Sequence, residues 1–183
     1  MKIVGICGSP RKGNTEWMLE TIMQGFARQG ADTELILLRK KFIKSCTGCL
    51  KCEAGGKDRP GICVQKDDMA AIFPRLLSAD CIVLGSPVYF EMISGQMKTF
   101  MDRTCPVWTR LGGKLLMGTA VAEEGIGQAV LNFKTYGKVC GMQWGGAVTT
   151  LAKTPQQASE DKTLKLKLIR LADRAFRRLQ QYN

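Results

Sequence analysis

Short apolar runs alternate along this chain with longer amphipathic segments. Apolar runs that end in glycine, proline or polar residues predict buried strands, whereas apolar residues at every third or fourth position predict helices. Strands are predicted at residues 2–7, 33–38, 81–84, 114–122 and 143–150. Helices are predicted at residues 14–29, 95–103, 128–137 and 158–180, with a further helix beginning at residue 67.

This strand–helix alternation predicts a parallel sheet with helices on both faces. We expect a single α/β domain over residues 1–183. Its sheet should be doubly wound and five-stranded, in the flavodoxin-like order 2-1-3-4-5. Ligands of such sheets bind where the carboxyl ends of strands one and three diverge. The loops after Cys7 and Leu84 are therefore the first candidates for a site.

The segment 39–66 interrupts this alternation. It shows no clear periodicity and contains Gly55, Gly56, Pro60 and Gly61. Loops of this length inside a compact domain are usually functional. We therefore predict a cysteine-rich loop or small lobe, inserted after strand two.

Composition narrows the class of protein. Of 183 residues, 45% are hydrophobic and 23% are charged, as in soluble globular proteins. No apolar run reaches the roughly 18 residues of a membrane span, and the first run ends at Gly8, too early for a signal peptide. We expect a cytoplasmic protein that makes no membrane contact.

The formal net charge of +11 concerns partners rather than fold. It suits an acidic electron carrier such as ferredoxin, a phosphorylated cofactor or nucleic acid. Exposed aromatic residues are not interleaved with the basic ones, which makes nucleic acid the less favoured partner.

Eight cysteines accompany a complete lack of histidine. In a reducing compartment such cysteines are free thiols or metal ligands more often than disulfides. Without histidine, the sequence excludes histidine-ligated zinc and every nucleophile pair that uses histidine. Any metal must be held mainly by sulfur.

The first candidate loop reads GSPRKGNT, residues 8–15. It leads into a helix that Asn14 is predicted to cap, so free amides and the helix dipole would favour an anion there. Asn14 stands where the P-loop motif has lysine, which argues against a nucleoside triphosphate, and the G-x-G-x-x-G of dinucleotide sites is also missing. A terminal monophosphate, as in FMN, fits better. Its candidate contacts are Ser9, Arg11, Gly13, Asn14 and Thr15.

The cysteine segment begins CTGCLKC, which is the C-x₂-C-x₂-C spacing of [4Fe–4S] proteins. A fourth cysteine follows after ten intervening residues. Cys105 precedes Pro106, as in ferredoxin motifs, but lies too far along the chain to be assigned. An iron-sulfur cluster, zinc and free thiols remain open alternatives. The candidate ligands are Cys46, Cys49, Cys52 and Cys63.

A third block, GSPVYFEMISGQMKTFMDR at residues 85–103, completes a recognisable set. With GSPRKGNT and the cysteine segment, it makes the chain resemble the NADPH-dependent FMN reductase family, and within that family the iron-sulfur flavoproteins. The resemblance covers about the first hundred residues. The second half is similar only in its strand–helix order.

The resemblance implies a flavodoxin-like fold, bound FMN, a [4Fe–4S] cluster on the four cysteines, and assembly into homodimers or homotetramers. It implies that the phosphate is held by Ser9, Arg11, Asn14 and Thr15. It places along the flavin ring Pro87, Val88, Tyr89 and Phe90. At the pyrimidine end it places Ala122, Glu123, Glu124 and Gly125, where this chain reads AEEG and relatives tend to be glycine-rich.

The residue types also suit a flavin site on physical grounds. Pro87 stiffens the backbone, and Tyr89 and Phe90 offer flat apolar surface to a ring system. Because the flavin carries the redox chemistry, no catalytic side chain is required.

The leading hypothesis is an FMN-dependent oxidoreductase that passes electrons from a ferredoxin-like carrier or NAD(P)H to a small-molecule acceptor. One alternative is a cluster-free NAD(P)H-dependent flavin or quinone reductase. The other is a zinc-containing nucleic-acid-binding module.

Overall fold

The computed structural model of this chain describes residues 1–53 and 63–181. Gly55, Gly56, Pro60 and Gly61 of the predicted cysteine-rich loop lie outside these residues.

The strands form a sheet in which a parallel path follows the order β2-β1-β3-β5-β6. The strands are β1 (Lys2–Cys7), β2 (Asp32–Leu37), β3 (Cys81–Tyr89), β4 (Met92–Ile93), β5 (Leu115–Ala122) and β6 (Gln143–Leu151). The flavodoxin-like order predicted for five parallel strands is confirmed. The prediction of five strands is wrong by one, because β3 turns back on itself and adds the two-residue antiparallel β4.

Helices cover the two faces of the sheet. They are α1 (Asn14–Ala27), α2 (Met69–Ser78), α3 (Gly95–Arg103), α4 (Ala129–Val139), α5 (Gln157–Glu160) and α6 (Lys162–Gln180). Two 3₁₀ helices span Leu38–Lys40 and Cys105–Leu111. Within the described ranges, no helix combines the length and the apolar character that a membrane crossing needs.

Several helix starts differ from the sequence-based expectation. The helix predicted to begin at residue 67 begins at Met69, and the one predicted from residue 128 begins at Ala129. The predicted helix 158–180 is split, because the Asp161 carboxylate accepts a hydrogen bond from the Leu164 amide at 2.9 Å and begins α6 there. Asn14 is the first residue of α1 rather than its cap, and Gly13 takes the cap position.

The hydrophobic core lies in two layers, one on each face of the sheet. Successive side chains of a strand point to opposite faces. Ile3 and Cys7 therefore pack under α1 and α6, whereas Val4 and Ile6 pack under α2, α3 and α4. Burying one such aliphatic side chain contributes about 1.5–3 kcal/mol, so the sheet is fixed from both sides.

The ends of β1 and β3 are held side by side. The Gly8 amide donates to the Gly85 carbonyl at 2.8 Å, and Ser94 Oγ donates to the Gly8 carbonyl at 2.6 Å. A Cβ on Gly85 would lie 2.5 Å from Leu19 Cδ1, so only glycine lets α1 approach β3 this closely. These contacts fix the loops that follow both strands.

The turn between β3 and β4 has an unusual backbone. Phe90 and Glu91 have φ of 48° and 64°, a left-handed conformation that costs non-glycine residues about 1–2 kcal/mol each. The Gln128 amide donates to the Glu91 carbonyl at 2.6 Å and stabilises the turn. As a result the Phe90 side chain is fully exposed.

Candidate functional site

An open crevice lies at the carboxyl ends of β1, β3, β5 and β6. Its enclosed volume is about 130 Å³, and it opens to solvent. It is lined by Ser9, Arg11, Gly13, Asn14, Thr15, Pro87, Val88, Tyr89, Val121, Ala122, Glu123, Ala152, Lys153 and Pro155. The structure thus brings both predicted loops to one place, the switch point of the sheet.

The loop 8–15 presents backbone amides to this crevice. At the start of α1 the Trp17 amide donates to the Gly13 carbonyl, and no side chain of the described residues caps the helix. The amides of Asn14, Thr15 and Glu16 therefore remain available to an anion, whereas the Arg11 amide donates to Ser9 Oγ at 3.3 Å. Ser9 Oγ donates to the Arg11 carbonyl at 2.6 Å and fixes the loop's curvature.

A carboxylate near the helix start is neutralised. Glu16 lies in the first turn of α1 and would repel a phosphate if its charge stood alone. Its Oε2 lies 2.9 Å from Arg39 Nη1, and both side chains are largely buried. The ion pair keeps this end of the crevice suitable for an anion.

Asn14 joins two distant parts of the chain. Its Nδ2 donates to the Thr154 carbonyl at 2.7 Å, and its Oδ1 accepts from the Ala158 amide at 3.1 Å. Both ends of the side-chain amide are thus occupied by protein. This clamp brings residues 152–155 to the crevice wall, including Lys153, a second cation beside Arg11.

The other side of the crevice is apolar. Pro87, Val88 and Tyr89 line it, as the sequence predicts for the ring. Ala122 and Glu123 also line it, whereas the lining does not include Phe90, Glu124 or Gly125. The left-handed turn directs Phe90 outward, and Gly125 packs against the Glu91 carboxylate, where a Cβ would lie 3.3 Å from Oε1.

Sequence reasoning missed four residues of the crevice: Val121, Ala152, Lys153 and Pro155. Their position could have been predicted from the strand order, because β5 and β6 end at the same edge of the sheet as β1 and β3. Strand order alone therefore directs the residues after β6 to this edge, although their contact with Asn14 leaves no local sequence signal.

A second, smaller cavity gathers cysteines. The four predicted ligands line it together with Cys105, Arg103, Asp102 and Pro106. Cys46 and Cys49 are exposed, while Cys52, Cys63 and Cys105 are half-buried. Within residues 1–53 and 63–181, no three cysteine or carboxylate side chains stand close enough together to hold a single metal ion as they are placed.

Cys105 is the cysteine that sequence reasoning did not assign. Its Sγ lies 3.5 Å from Cys52 Sγ, because the helix α3 carries it back to the cysteine segment. Burial, and then the neighbouring Cys52, raises the pKa of Cys105 to about 12, so this thiol stays protonated at neutral pH. At Cys49, a hydrogen bond from the Lys51 amide lowers the pKa of the thiol and favours the thiolate that binds metals.

A buried ion pair closes the base of the cysteine segment. Arg103 Nη1 lies 2.6 Å from Asp67 Oδ2, and the two side chains are 1% and 0% exposed. Burial alone raises the pKa of Asp67, but hydrogen bonds from Arg103 and from the amides of Lys44 and Met69 outweigh it and lower the pKa. The pair is therefore charged at neutral pH.

A doubly wound parallel sheet in the order β2-β1-β3-β5-β6 defines a flavodoxin-like fold. An archaeal flavodoxin superposes with a TM-score of 0.66 at 17% identity, over 98% of this chain and 99% of the flavodoxin. At this identity the likeness shows the fold alone. Residues 1–156 match the sequence model of the NADPH-dependent FMN reductase family, and the chain belongs to that family. The resemblance to this family predicted from sequence is confirmed.

Several curated relatives carry the name iron-sulfur flavoprotein. One, from Methanocaldococcus jannaschii, is 42% identical over 125 residues, which cover 67% of this chain and 61% of that protein. Another, from Archaeoglobus fulgidus, is 40% identical over 131 residues, covering 70% of this chain and 57% of that protein. The matched part of this chain therefore spans about three fifths of each of these two relatives.

Proposed function

We propose that this protein is an iron-sulfur flavoprotein that oxidises a ferredoxin-like carrier or NAD(P)H and reduces a small-molecule acceptor. FMN would occupy the crevice, and a [4Fe–4S] cluster would bind to Cys46, Cys49, Cys52 and Cys63. The observation that carries this proposal is the convergence of all four motif cysteines on one cavity, in a chain whose switch-point crevice suits FMN.

The residues of the crevice fit FMN. The amides at the start of α1, with Arg11 and Lys153, suit a phosphate, and the apolar wall at Pro87–Tyr89 suits the ring. When bound, FMN supplies the redox chemistry. The protein's own contribution is to hold the phosphate at one end and to cover one face of the ring at the other.

The residues of the cysteine cavity fit an iron-sulfur cluster by their chemistry. Cysteine thiolates are the usual ligands of such clusters, and the C-x₂-C-x₂-C spacing is typical of them. The low pKa of Cys49 favours its metal-binding form. Cys46 and Cys49 are exposed, so this site is open to solvent.

An acidic carrier would find a basic groove at the edge of the sheet formed by β6. Lys167, Arg170 and Arg174 of α6 line this groove together with residues 147–149 of β6. Arg178, further along α6, is already bonded to the Trp144 carbonyl and Gln143 Oε1. We propose this groove as the docking surface for the carrier, since opposite charges accelerate association.

A second copy of the chain would cover the apolar surface beside β4. Met92, Leu131 and Val139 are each more than half exposed there, and they line one groove of about 680 Å³. The exposed Phe90 stands on the adjoining turn. A groove lined by exposed apolar side chains suits a contact between protein chains, which supports the homodimer or homotetramer expected from the resemblance.

The decisive experiment is anaerobic purification followed by an absorbance spectrum and assays of flavin, iron, zinc and acid-labile sulfide. We expect bound FMN, and we expect the amount of iron to equal the amount of sulfide, as in a [4Fe–4S] cluster. FMN without metal would instead identify a cluster-free reductase, and zinc without sulfide would overturn the cluster. Failure to bind added FMN would overturn the proposed function as a whole.

A further inference from the structure

Arg103 is an unexpected residue to find in the interior. It is the bulkiest of the fully buried side chains among the described residues, with 1% of its surface exposed. A buried guanidinium is strongly destabilising unless it is paired and hydrogen-bonded. The hydrogen-bond partners of Arg103 therefore indicate its role.

Three of those partners belong to the two ends of the cysteine segment. Nη1 donates to the Lys44 carbonyl and to Asp67 Oδ2, both at 2.6 Å, and Nη2 donates to Asp67 Oδ1 at 3.0 Å. Asp67 in turn accepts from the Lys44 amide at 3.0 Å. The guanidinium thus ties residue 44, which precedes the first ligand, to residue 67, which follows the last.

The fourth partner is a predicted ligand itself. Arg103 Nη2 also donates to Cys63 Sγ at 3.4 Å, within hydrogen-bonding distance for sulfur. The planar fork of arginine directs separate N–H groups to the carboxylate and to the sulfur, whereas the three N–H donors of a lysine ammonium radiate from one nitrogen and cannot reproduce this two-nitrogen geometry. Arg103 therefore fixes both the path of the segment and the position of one sulfur.

We infer that Arg103 is a positioning residue of the cysteine site: it holds Cys63 in place and, by hydrogen bonding to its sulfur, raises the reduction potential of the metal centre bound there. This inference rests on the proposed function. Its physical basis is that reduction adds negative charge to a centre and its thiolates. Hydrogen bonds to the sulfurs and nearby positive charge both stabilise the reduced form.

Two variants test this role in the full-length holoprotein. Arg103→Lys keeps the charge but loses the fork. Arg103→Met combined with Asp67→Asn removes both charges, so that neither remains buried without a partner. The matched controls are Arg75→Lys and Arg75→Met combined with Glu34→Gln, since Arg75 and Glu34 form a half-exposed ion pair at 2.9 Å on another part of the surface.

The measurement is an anaerobic redox titration followed by electron paramagnetic resonance, with iron, sulfide and FMN content determined on the same samples. In Arg103→Lys we expect the reduction equilibrium of the cluster to shift about tenfold toward the oxidised form, which is about 59 mV for a one-electron couple. The double variant should shift it further in the same direction. The FMN content and the potentials of the Arg75 controls should not change.

Each outcome decides the question. Loss of the cluster in both Arg103 variants, with FMN content and unfolding temperature retained, also supports the inference, because it shows that the pair holds the ligand set. Unchanged potentials in both variants would overturn the inference and leave the proposed function standing. Joint loss of FMN, cluster and folding in both would show a purely structural role. Absence of a cluster from the wild-type protein would overturn the proposed function, and this inference with it.

Discussion

Seven of the fourteen residues that line the crevice lie in β3, β5 or the first turn of α1, and the others lie in the loops that directly follow β1, β5 and β6. The cysteine cavity is lined mainly by residues 46–52 and 63–65, which belong to no helix or strand. The crevice is shaped by the packing of the whole sheet. The cysteine cavity depends on a few contacts, chiefly the Arg103–Asp67 pair. The first should therefore keep its shape without a cofactor, and the second should depend on its metal and on that pair.

The largest expected effect is the separation of the two sites by one ligand substitution. Cys49→Ala should remove most of the iron and sulfide, because alanine offers no ligand atom in place of the thiolate that holds such a cluster. FMN content should stay at the wild-type level. The checks are metal and flavin assays, with Cys140→Ala, a buried cysteine of the core, as the control. Loss of FMN from the Cys49 variant would show that the two sites are not independent.

Oxidation of the cluster-free protein tests which cysteines of the cavity lie closest together. With hydrogen peroxide as the oxidant, Cys52 and Cys105 should form a disulfide before any other pair, because their sulfurs are 3.5 Å apart. Two protons and two electrons pass to the peroxide, which becomes two water molecules. Peptide mass spectrometry identifies the link, and Cys105→Ala should abolish it. A dominant Cys46–Cys49 link would contradict this placement.

The buried pair should contribute more stability than any surface pair. Asp67→Asn leaves Arg103 without its counter-charge, which should lower the free energy of unfolding at pH 7 by about 3 kcal/mol. The pKa of Asp67 is lowered in the folded state from a usual value of 3.8. Its contribution is therefore complete above about pH 4 and is lost as the pH falls through the folded-state pKa.

Urea unfolding at pH 7 and at pH 3 tests both parts of this prediction. The difference between wild type and Asp67→Asn should narrow at the lower pH. Glu34→Gln, which removes a half-exposed pair, should change stability by less than about 1 kcal/mol at either pH. An equal loss in the two variants would mean that the buried pair has no special role.

A smaller effect is expected from a single cation of the crevice. Arg11→Gln should raise the Kd for FMN several-fold to about tenfold, as expected for one partly exposed charge-assisted hydrogen bond to phosphate. Iron content should not change. Titration of apoprotein by flavin fluorescence measures the Kd. Lys12→Gln is the matched control, since Lys12 is exposed but is not part of the crevice lining.

The smallest effect concerns the basic groove. Lys167→Glu with Arg170→Glu should lower the rate with an acidic electron carrier several-fold at low salt, and the difference should vanish at high salt. FMN and iron content should stay the same. Arg28→Glu with Lys40→Glu makes the same charge change on another exposed surface. An equal loss of rate in this control would show that the net charge of the protein, and not the groove, determines the rate.

Local patterns predicted much of the fold. The bounds of β1 and α3 agree at both ends with the sequence-based expectation, because apolar runs bounded by glycine, proline or a capping serine are local signals. The β4 strand was missed because its turn uses Phe90 and Glu91, residues that rarely adopt a left-handed backbone. Here the Gln128 contact overrides the local preference.

The sequence predicted those site residues that lie within a short motif. GSPRKGNT and GSPVY reached one crevice because strand order brings their strands together. The approach of Cys105 to Cys52 and of Asn14 to Thr154 depends on tertiary packing between distant segments, which no spacing reveals. Arg103, next to Asp102 at the end of a polar helix, has the sequence context of a surface residue, yet it is buried.

The clamp made by Asn14 has a consequence for how the protein is made. Its partners, Thr154 and Ala158, leave the ribosome about 140 residues after Asn14 itself. A nascent chain that has completed only the first three strands carries the loop 8–15 but not the wall beside it. Stable loading of a phosphorylated cofactor would thus wait until residue 158 has been synthesised, and a truncated chain that ends before residue 154 would be released with this pocket half built.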